Sequence, residues 1–135
     1  MGLDLRRSEL LLVEDQPILR TTIASILRAS GFSVTVAANV SEAVSLIRVR
    51  KFDFLISDLN LDADHDGFEV IAEMQRVQPH AVTCILTATP TAKSLLWAMR
   101  HNVDGYYEKS VDLVKMAREL GEYANARRSL QLAAA

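Results

Sequence analysis

Three acidic side chains, one hydroxyl and one ammonium stand where apolar runs give out. Glu14 and Asp15 close LLLV, Asp58 closes FDFLIS, Thr87 closes AVTCIL, and Lys109 follows DGYYE. A carboxylate ending such a run needs a solvated edge, a partner or a chemical task. Three carboxylates brought together raise one another's pKa unless a cation intervenes. Oxygen donors suit a hard divalent ion, and Mg2+ binds through one or two carboxylates while keeping several waters. A lysine opposite adds fixed positive charge, and a threonine adds a neutral donor. Such a set can hold the equatorial oxygens of a phosphoryl group. The chemistry implied is phosphate transfer onto a carboxylate. Asp58 would be the nucleophile, Mg2+ and Lys109 would neutralise charge, and Thr87 would place an oxygen.

That chemistry requires one edge to which every segment delivers its terminal residue. Short apolar runs alternate with amphipathic segments along the chain. Leu10 to Val13 reads as a buried strand, and Pro17 suits the first turn of the helix after it. Leu19, Ile23, Ile26 and Leu27 recur at helical spacing, and Gly31 supplies a left-handed stop. FSVTVA alternates as a second strand. Asn39 and Glu42 form a capping box ahead of Ala43, Val44 and Ile47. Phe54 to Ile56 is the third strand. Asp66 and Glu69 read as a second capping box, opening a helix with Val70, Ile71, Met74 and Val77. Ala81 to Leu86 is the fourth strand. A helix from about Thr91 to His101 follows, stopped by Asn102. Tyr106-Tyr107 marks a short fifth strand. The last helix carries Leu113, Met116, Ala117, Leu120 and Ala124 on one stripe. This alternation predicts a parallel sheet covered on both faces, with right-handed crossovers bringing all strand C-termini to one edge. Ligands bind at that edge where strand order reverses.

The chain has 135 residues, 50% hydrophobic and 24% charged, which fits a single domain with a real core. A net charge of -2 gives no basic footprint for nucleic acid. No stretch is long enough and apolar enough to span a bilayer, and MGLDLRRSEL lacks the apolar core of a signal peptide. The expected compartment is the cytoplasm. Cys84 sits inside an apolar run and reads as a buried, reduced thiol. His65, His80 and His101 are scattered at loops and helix ends and read as surface residues.

The order VED, LISDLNL, ILTAT, DGYYEK resembles the receiver domain of two-component response regulators, from about Leu10 to Leu120. The resemblance implies an α/β, flavodoxin-like, doubly wound fold, with five parallel strands in the order 2-1-3-4-5 and five helices. It implies that Asp58 accepts a phosphoryl group from a histidine of a sensor kinase or phosphotransfer protein, or from a small phosphodonor. Mg2+ would be held by Asp15 directly, by Glu14 through water, by Asp58, and by the backbone carbonyl of Asn60. Lys109 would bridge to phosphoryl oxygens. Thr87 would swing toward the phosphate, with Tyr106 turning inward behind it as the second switch residue. The added charge, about -1.5 to -2, shifts a two-state equilibrium and changes what the surface binds. The protein would be no enzyme beyond its own phosphorylation and dephosphorylation.

Two departures from the family stand out. Proline usually follows the lysine, whereas Ser110 stands here, and a cis bond before serine costs about 3 kcal/mol, so the expectation is trans. The loop after Asp58 is longer and acidic. Asp62, Asp64, Asp66, Gly67 and Glu73 formally match a calcium-loop pattern, but a strand precedes it and Glu69 occupies a normally apolar position. A solvated acidic loop is the preferred reading.

The fourth helix carries Leu95, Leu96, Trp97, Ala98 and Met99, too wide an apolar band for one buried face. With Tyr107, the residues Leu95, Trp97 and Met99 form the expected partner face. By family resemblance it is built from the fourth helix, fifth strand and fifth helix, and it offers a route to a homodimer. The competing reading folds Trp97 over a neighbouring helix. Residues 1–126 read as the receiver domain. Residues 127–135 read as a C-terminal tail or linker stub without a packing partner. The output target is not written in the sequence.

Other function classes fit less well. A pseudo-receiver, regulated by protein binding without phosphorylation, is the alternative that Ser110 keeps open. An aspartyl-phosphate hydrolase needs a second acid two residues past the nucleophile, where Asn60 stands. A flavodoxin needs bare amides after the first strand, where EDQP is acidic.

Overall fold

The structure, a computed structural model, describes residues 8–63 and 66–134. Its elements are β1 (Glu9–Val13), α1 (Pro17–Ala29), β2 (Ser33–Ala37), α2 (Val40–Val49), β3 (Phe54–Ser57), α3 (Gly67–Val77), β4 (Val82–Thr87), α4 (Ala92–Arg100), β5 (Gly105–Glu108) and α5 (Leu113–Ala134). The five strands are all parallel, in the order β2-β1-β3-β4-β5. The expected flavodoxin-like doubly wound sheet is therefore present.

Strand periodicity divides the core. Leu11, Val13, Leu55 and Ile85 face α2, α3 and α4, joining Ala43, Ile47, Val70, Ile71, Met74 and Ala98. Leu10, Leu12, Phe54, Ile56, Cys84 and Leu86 face α1 and α5, joining Ile23, Leu27, Met116 and Leu120. Successive side chains of a strand point to opposite faces, so β1, β3 and β4 are buried along nearly their whole length because both faces are covered. The edge strands β2 and β5 are only partly buried.

Local signals place the element ends. Pro17 opens α1, and Gly31 after it has φ 106°, a conformation with no steric cost only for glycine. Asn39 Oδ1 accepts the Glu42 N–H at 2.8 Å. Asn102 adopts φ 56° after α4. The start of α4 carries a capping box that the sequence reading missed, Thr91 with Ser94.

Two expectations are corrected. Asp66 does not cap α3 with its side chain. Its carboxylate instead turns back and accepts the N–H groups of Leu61, Asp62 and Ala63 at 2.7–3.0 Å. Three bent amides closer at hand outcompete the helix amides. The second correction concerns the tail: α5 runs on through Ala134. Arg127 anchors it, its guanidinium donating to the carbonyls of Pro79, His80 and Ala81 and pairing with Asp104 at 3.6 Å.

Among the described residues no helix is long and apolar enough to cross a membrane.

Candidate functional site

The ladder delivers the chemistry-bearing residues. Val13 of β1 stands opposite Ser57 of β3, so the next residue of each strand, Glu14 and Asp58, emerges at the same level. The backbone hydrogen bonds continue one step past the strands: Glu14 N to Ala37 O at 3.0 Å, Asp58 N to Val13 O at 3.0 Å, and Lys109 N to Thr87 O at 2.9 Å. Those bonds fix where the functional side chains leave the backbone. The β1/β3 boundary is also where the chain reverses its direction across the sheet, the place such sheets bind ligands.

Glu14, Asp15 and Asp58 converge there, with one carboxylate oxygen of each within 4.8 Å of the others. Glu14 is 1% exposed and Asp58 6%. Lys109 Nζ lies 2.8 Å from Glu14 Oε1 and 2.8 Å from Asp58 Oδ2. Lys109 thus neutralises one of three facing carboxylates. Burial and contact with Asp15 push the Glu14 carboxyl above the usual range, and its bond to Lys109 only partly offsets them. Burial works against the charge on Lys109, but its bonds to Asp58 and Glu14 outweigh it and raise its pKa. An all-oxygen, net-negative, partly open donor set fits a hard divalent cation. The three carboxylates can hold a metal.

Thr87 is fully buried, and its hydroxyl accepts the Thr89 N–H at 3.2 Å. Asn60 donates its N–H to Asp58 Oδ1 at 3.3 Å, and its side-chain amide reaches Thr89 Oγ1 at 3.3 Å across the mouth of the site. Tyr106 projects toward α4 and Tyr107 toward α5, where its hydroxyl meets Tyr123 at 2.9 Å. No cis peptide occurs among the described residues, so Lys109–Ser110 is trans as expected. The missing proline does not turn Lys109 away from Asp58.

Sequence reasoning missed Arg20. Its guanidinium donates to the carbonyls of Glu14 and Asp15 at 3.0 and 3.3 Å, bracing the turn that carries both acids. Its place in the first turn of the helix following Glu14-Asp15 was the available signal. Gly67 was read only as part of a calcium loop, yet its N–H bonds the Leu59 carbonyl at 2.7 Å beneath the loop that follows Asp58. The calcium pattern itself does not assemble. Glu73 is held by Arg48 and Arg76 at 2.7 and 2.5 Å, and the carboxylate of Asp66 is on the loop amides. Asp64 and His65 lie outside the described residues.

On the face expected to meet a partner, Trp97 is not a free anchor. It stacks between Phe68 of α3, centroids 3.9 Å apart, and His101, centroids 4.0 Å apart. Leu95, Leu96 and Met99 are the exposed members, at 43%, 49% and 66%.

A family model described as "Response regulator receiver domain" matches residues 10–120. The chain belongs to that family, whose members act in two-component signalling. Transcriptional regulatory protein GlrR of Escherichia coli (strain K12) is 35% identical over 105 residues, 78% of this chain and 23% of GlrR. The chain thus spans less than two thirds of that relative. A CheY-like receiver domain protein from Methanospirillum hungatei JF-1 superimposes with a TM-score of 0.83 at 20% identity, covering 90% of this chain and 97% of the other. A Burkholderia pseudomallei response regulator, solved with a phosphorylated aspartic acid, a calcium ion and citrate, gives 0.79 at 26% identity, covering 93% and 73%.

Proposed function

We propose that this receiver is a phosphorylation-driven switch in which Asp58 accepts a phosphoryl group from a histidine of a sensor kinase or phosphotransfer protein. The observation that carries the reading is Lys109 Nζ at 2.8 Å from both Asp58 and Glu14, inside a three-carboxylate cluster that also contains Asp15. The phosphorylated aspartic acid of the Burkholderia relative supports it.

Asp58 Oδ attacks phosphorus, the phosphorus–nitrogen bond of the donor phosphohistidine breaks, and the imidazole, protonated on its other ring nitrogen, leaves neutral. Glu14, Asp15, Asp58 and the Asn60 carbonyl would hold Mg2+, which supplies charge neutralisation for the transferring group when bound. Lys109 gives up Asp58 and follows the new phosphoryl oxygens. Thr87 exchanges Thr89 for a phosphoryl oxygen, and Tyr106 turns into the space behind it. The switch then acts through the α4–β5–α5 face, where Leu95 and Met99 are exposed and Trp97 and Tyr107 support the surface from below. Its occupant is an output partner or a second copy of the chain, in the cytoplasm. A transcriptional output, as the name of GlrR states for that protein, belongs to this proposal.

Incubation with Mg2+ and acetyl phosphate, followed by intact-mass measurement, tests it. One added phosphoryl group is expected, absent from Asp58→Asn and abolished by chelation. No Asp58-dependent adduct under any of these conditions would favour the pseudo-receiver reading.

A further inference from the structure

The hydroxyl of Tyr106 is tied into the first turn of α4. It lies 2.5 Å from Ser94 Oγ and 3.3 Å from the Thr91 N–H. Ser94 is fully buried. Its Oγ donates to the Thr91 carbonyl at 3.1 Å and accepts from the Thr91 hydroxyl at 3.0 Å. The Ser94 N–H in turn donates to Thr91 Oγ1 at 3.1 Å. A hydroxyl has one proton and two lone pairs. With the Ser94 proton on the Thr91 carbonyl, Tyr106 is the donor to Ser94, and the Thr91 N–H is shared between the two hydroxyl oxygens, at 3.3 Å from each. The capping box of α4 and the side chain of β5 are one closed network, buried enough for each bond to matter.

We infer that Ser94 is a positioning residue for the switch: its bond to Tyr106 holds that ring, and with it the start of α4, in the arrangement where Thr87 is engaged with Thr89. The inference rests on the phosphorylation reading above. It goes beyond that reading by assigning the residue that sets how easily the switch moves. Any rotation of Tyr106 about its first side-chain torsion carries the hydroxyl away from Ser94. The bond is therefore made in one arrangement and broken in the other, which is the condition for a contact to bias a two-state equilibrium. The bond also links β5 to the exposed face of α4, because Leu95 directly follows Ser94.

The single tryptophan, Trp97, lies one turn beyond Ser94 and reports on α4. Wild-type protein with Mg2+ is titrated with beryllofluoride and Trp97 fluorescence is followed, in parallel with Tyr106→Phe, Ser94→Ala and the double variant. Tyr106→Phe removes the hydroxyl and leaves the capping box intact, which separates the lock from helix capping. One neutral hydrogen bond lost from the resting arrangement tightens apparent beryllofluoride affinity about three- to tenfold. The double variant is expected to match Ser94→Ala, since that change has already deleted the bond between Ser94 and Tyr106 along with the capping-box bonds. Unchanged or weakened affinity in Tyr106→Phe, or effects that add in the double variant, overturns the inference while leaving the phosphorylation reading standing. If wild-type protein shows no saturable response, that reading fails. The lock is then judged by amide exchange alone: faster exchange across the first turn of α4 in Tyr106→Phe supports it, and unchanged exchange rejects it.

Discussion

Gly67 lies against the backbone carbonyl of Asp58. A methyl group built on Gly67 would stand 2.0 Å from the Asp58 oxygen and 2.8 Å from the Leu59 Cα. Both obstacles are backbone, so no side chain can rotate out of the way. The loop that carries Asp58 and the start of α3 are therefore in contact only because this position has no side chain.

Gly67→Ala is expected to destabilise the domain by about 3 kcal/mol, the upper range for overpacking. The strain falls on the loop that carries Asp58, so Mg2+-dependent phosphorylation should drop even where the variant is still folded. Urea unfolding and acetyl phosphate labelling on the same samples check both. Near-wild-type stability would mean that the loop yields more easily than this contact implies.

Lys109 is the counter-ion of two buried carboxylates. Lys109→Ala leaves Glu14 and Asp58 facing each other and Asp15 without it. Breaking a largely buried pair by removing one partner costs about 3 kcal/mol. That loss should appear in metal-free buffer and shrink when millimolar Mg2+ is added, because a divalent ion supplies the missing charge. Thermal unfolding with and without chelator measures it. An equal destabilisation in both buffers would argue against a cation site between these carboxylates.

The exposed and buried parts of α4 should separate in experiment. Trp97→Ala removes the middle of a three-ring stack and is expected to cost about 2 kcal/mol, since the ring is only partly buried. Met99→Ser changes an exposed residue and should alter stability by no more than about 0.5 kcal/mol. If this face mediates self-association, Met99→Ser weakens it. Sedimentation velocity before and after beryllofluoride, beside urea unfolding, distinguishes the two effects. A stable Trp97→Ala would show the stack to be incidental.

The sheet and its acidic pocket were legible because both follow from periodicity. Apolar runs ending in Glu14, Asp58, Thr87 and Lys109 needed only parallel pairing in register to converge, and the ladder supplies that register. What was not legible depends on side chains finding distant or locally competing partners. Asp66 has the spacing of a helix cap, but three loop amides take its carboxylate. Arg127 looks like tail composition, yet it reaches carbonyls some 46 to 48 residues earlier in the chain. Ser94 carries no apolar or charge signal, and only its spacing from Thr91 hinted at a cap. The width of the apolar band on α4 was readable, but not its division. Phe68 on α3 decides that Trp97 is covered and Met99 is not.

Alkaline stability gives a last test, independent of the acidic pocket. Burial drives the Cys84 thiol far above its ordinary value of 9.0. Burial and the bond to Tyr123 drive the Tyr107 phenol far above 10.0. Above each ordinary value the unfolded chain has released a proton that the folded chain still holds. Folding stability therefore falls as pH rises, by about 1.4 kcal/mol per pH unit for the fully buried thiol and by less for the half-buried, solvent-screened phenol. Urea midpoints are expected to decline from about pH 9 and more steeply past about pH 10. Cys84→Ala should remove the first limb of that decline at a modest cost in neutral stability, and Tyr107→Phe should shallow the second. The folded wild type should leave Cys84 unreactive toward a thiol reagent until denaturant is added. Rapid labelling of the native protein at neutral pH, or an unaltered alkaline profile in Cys84→Ala, would show that the α1–α5 face of the sheet is not sealed around β4.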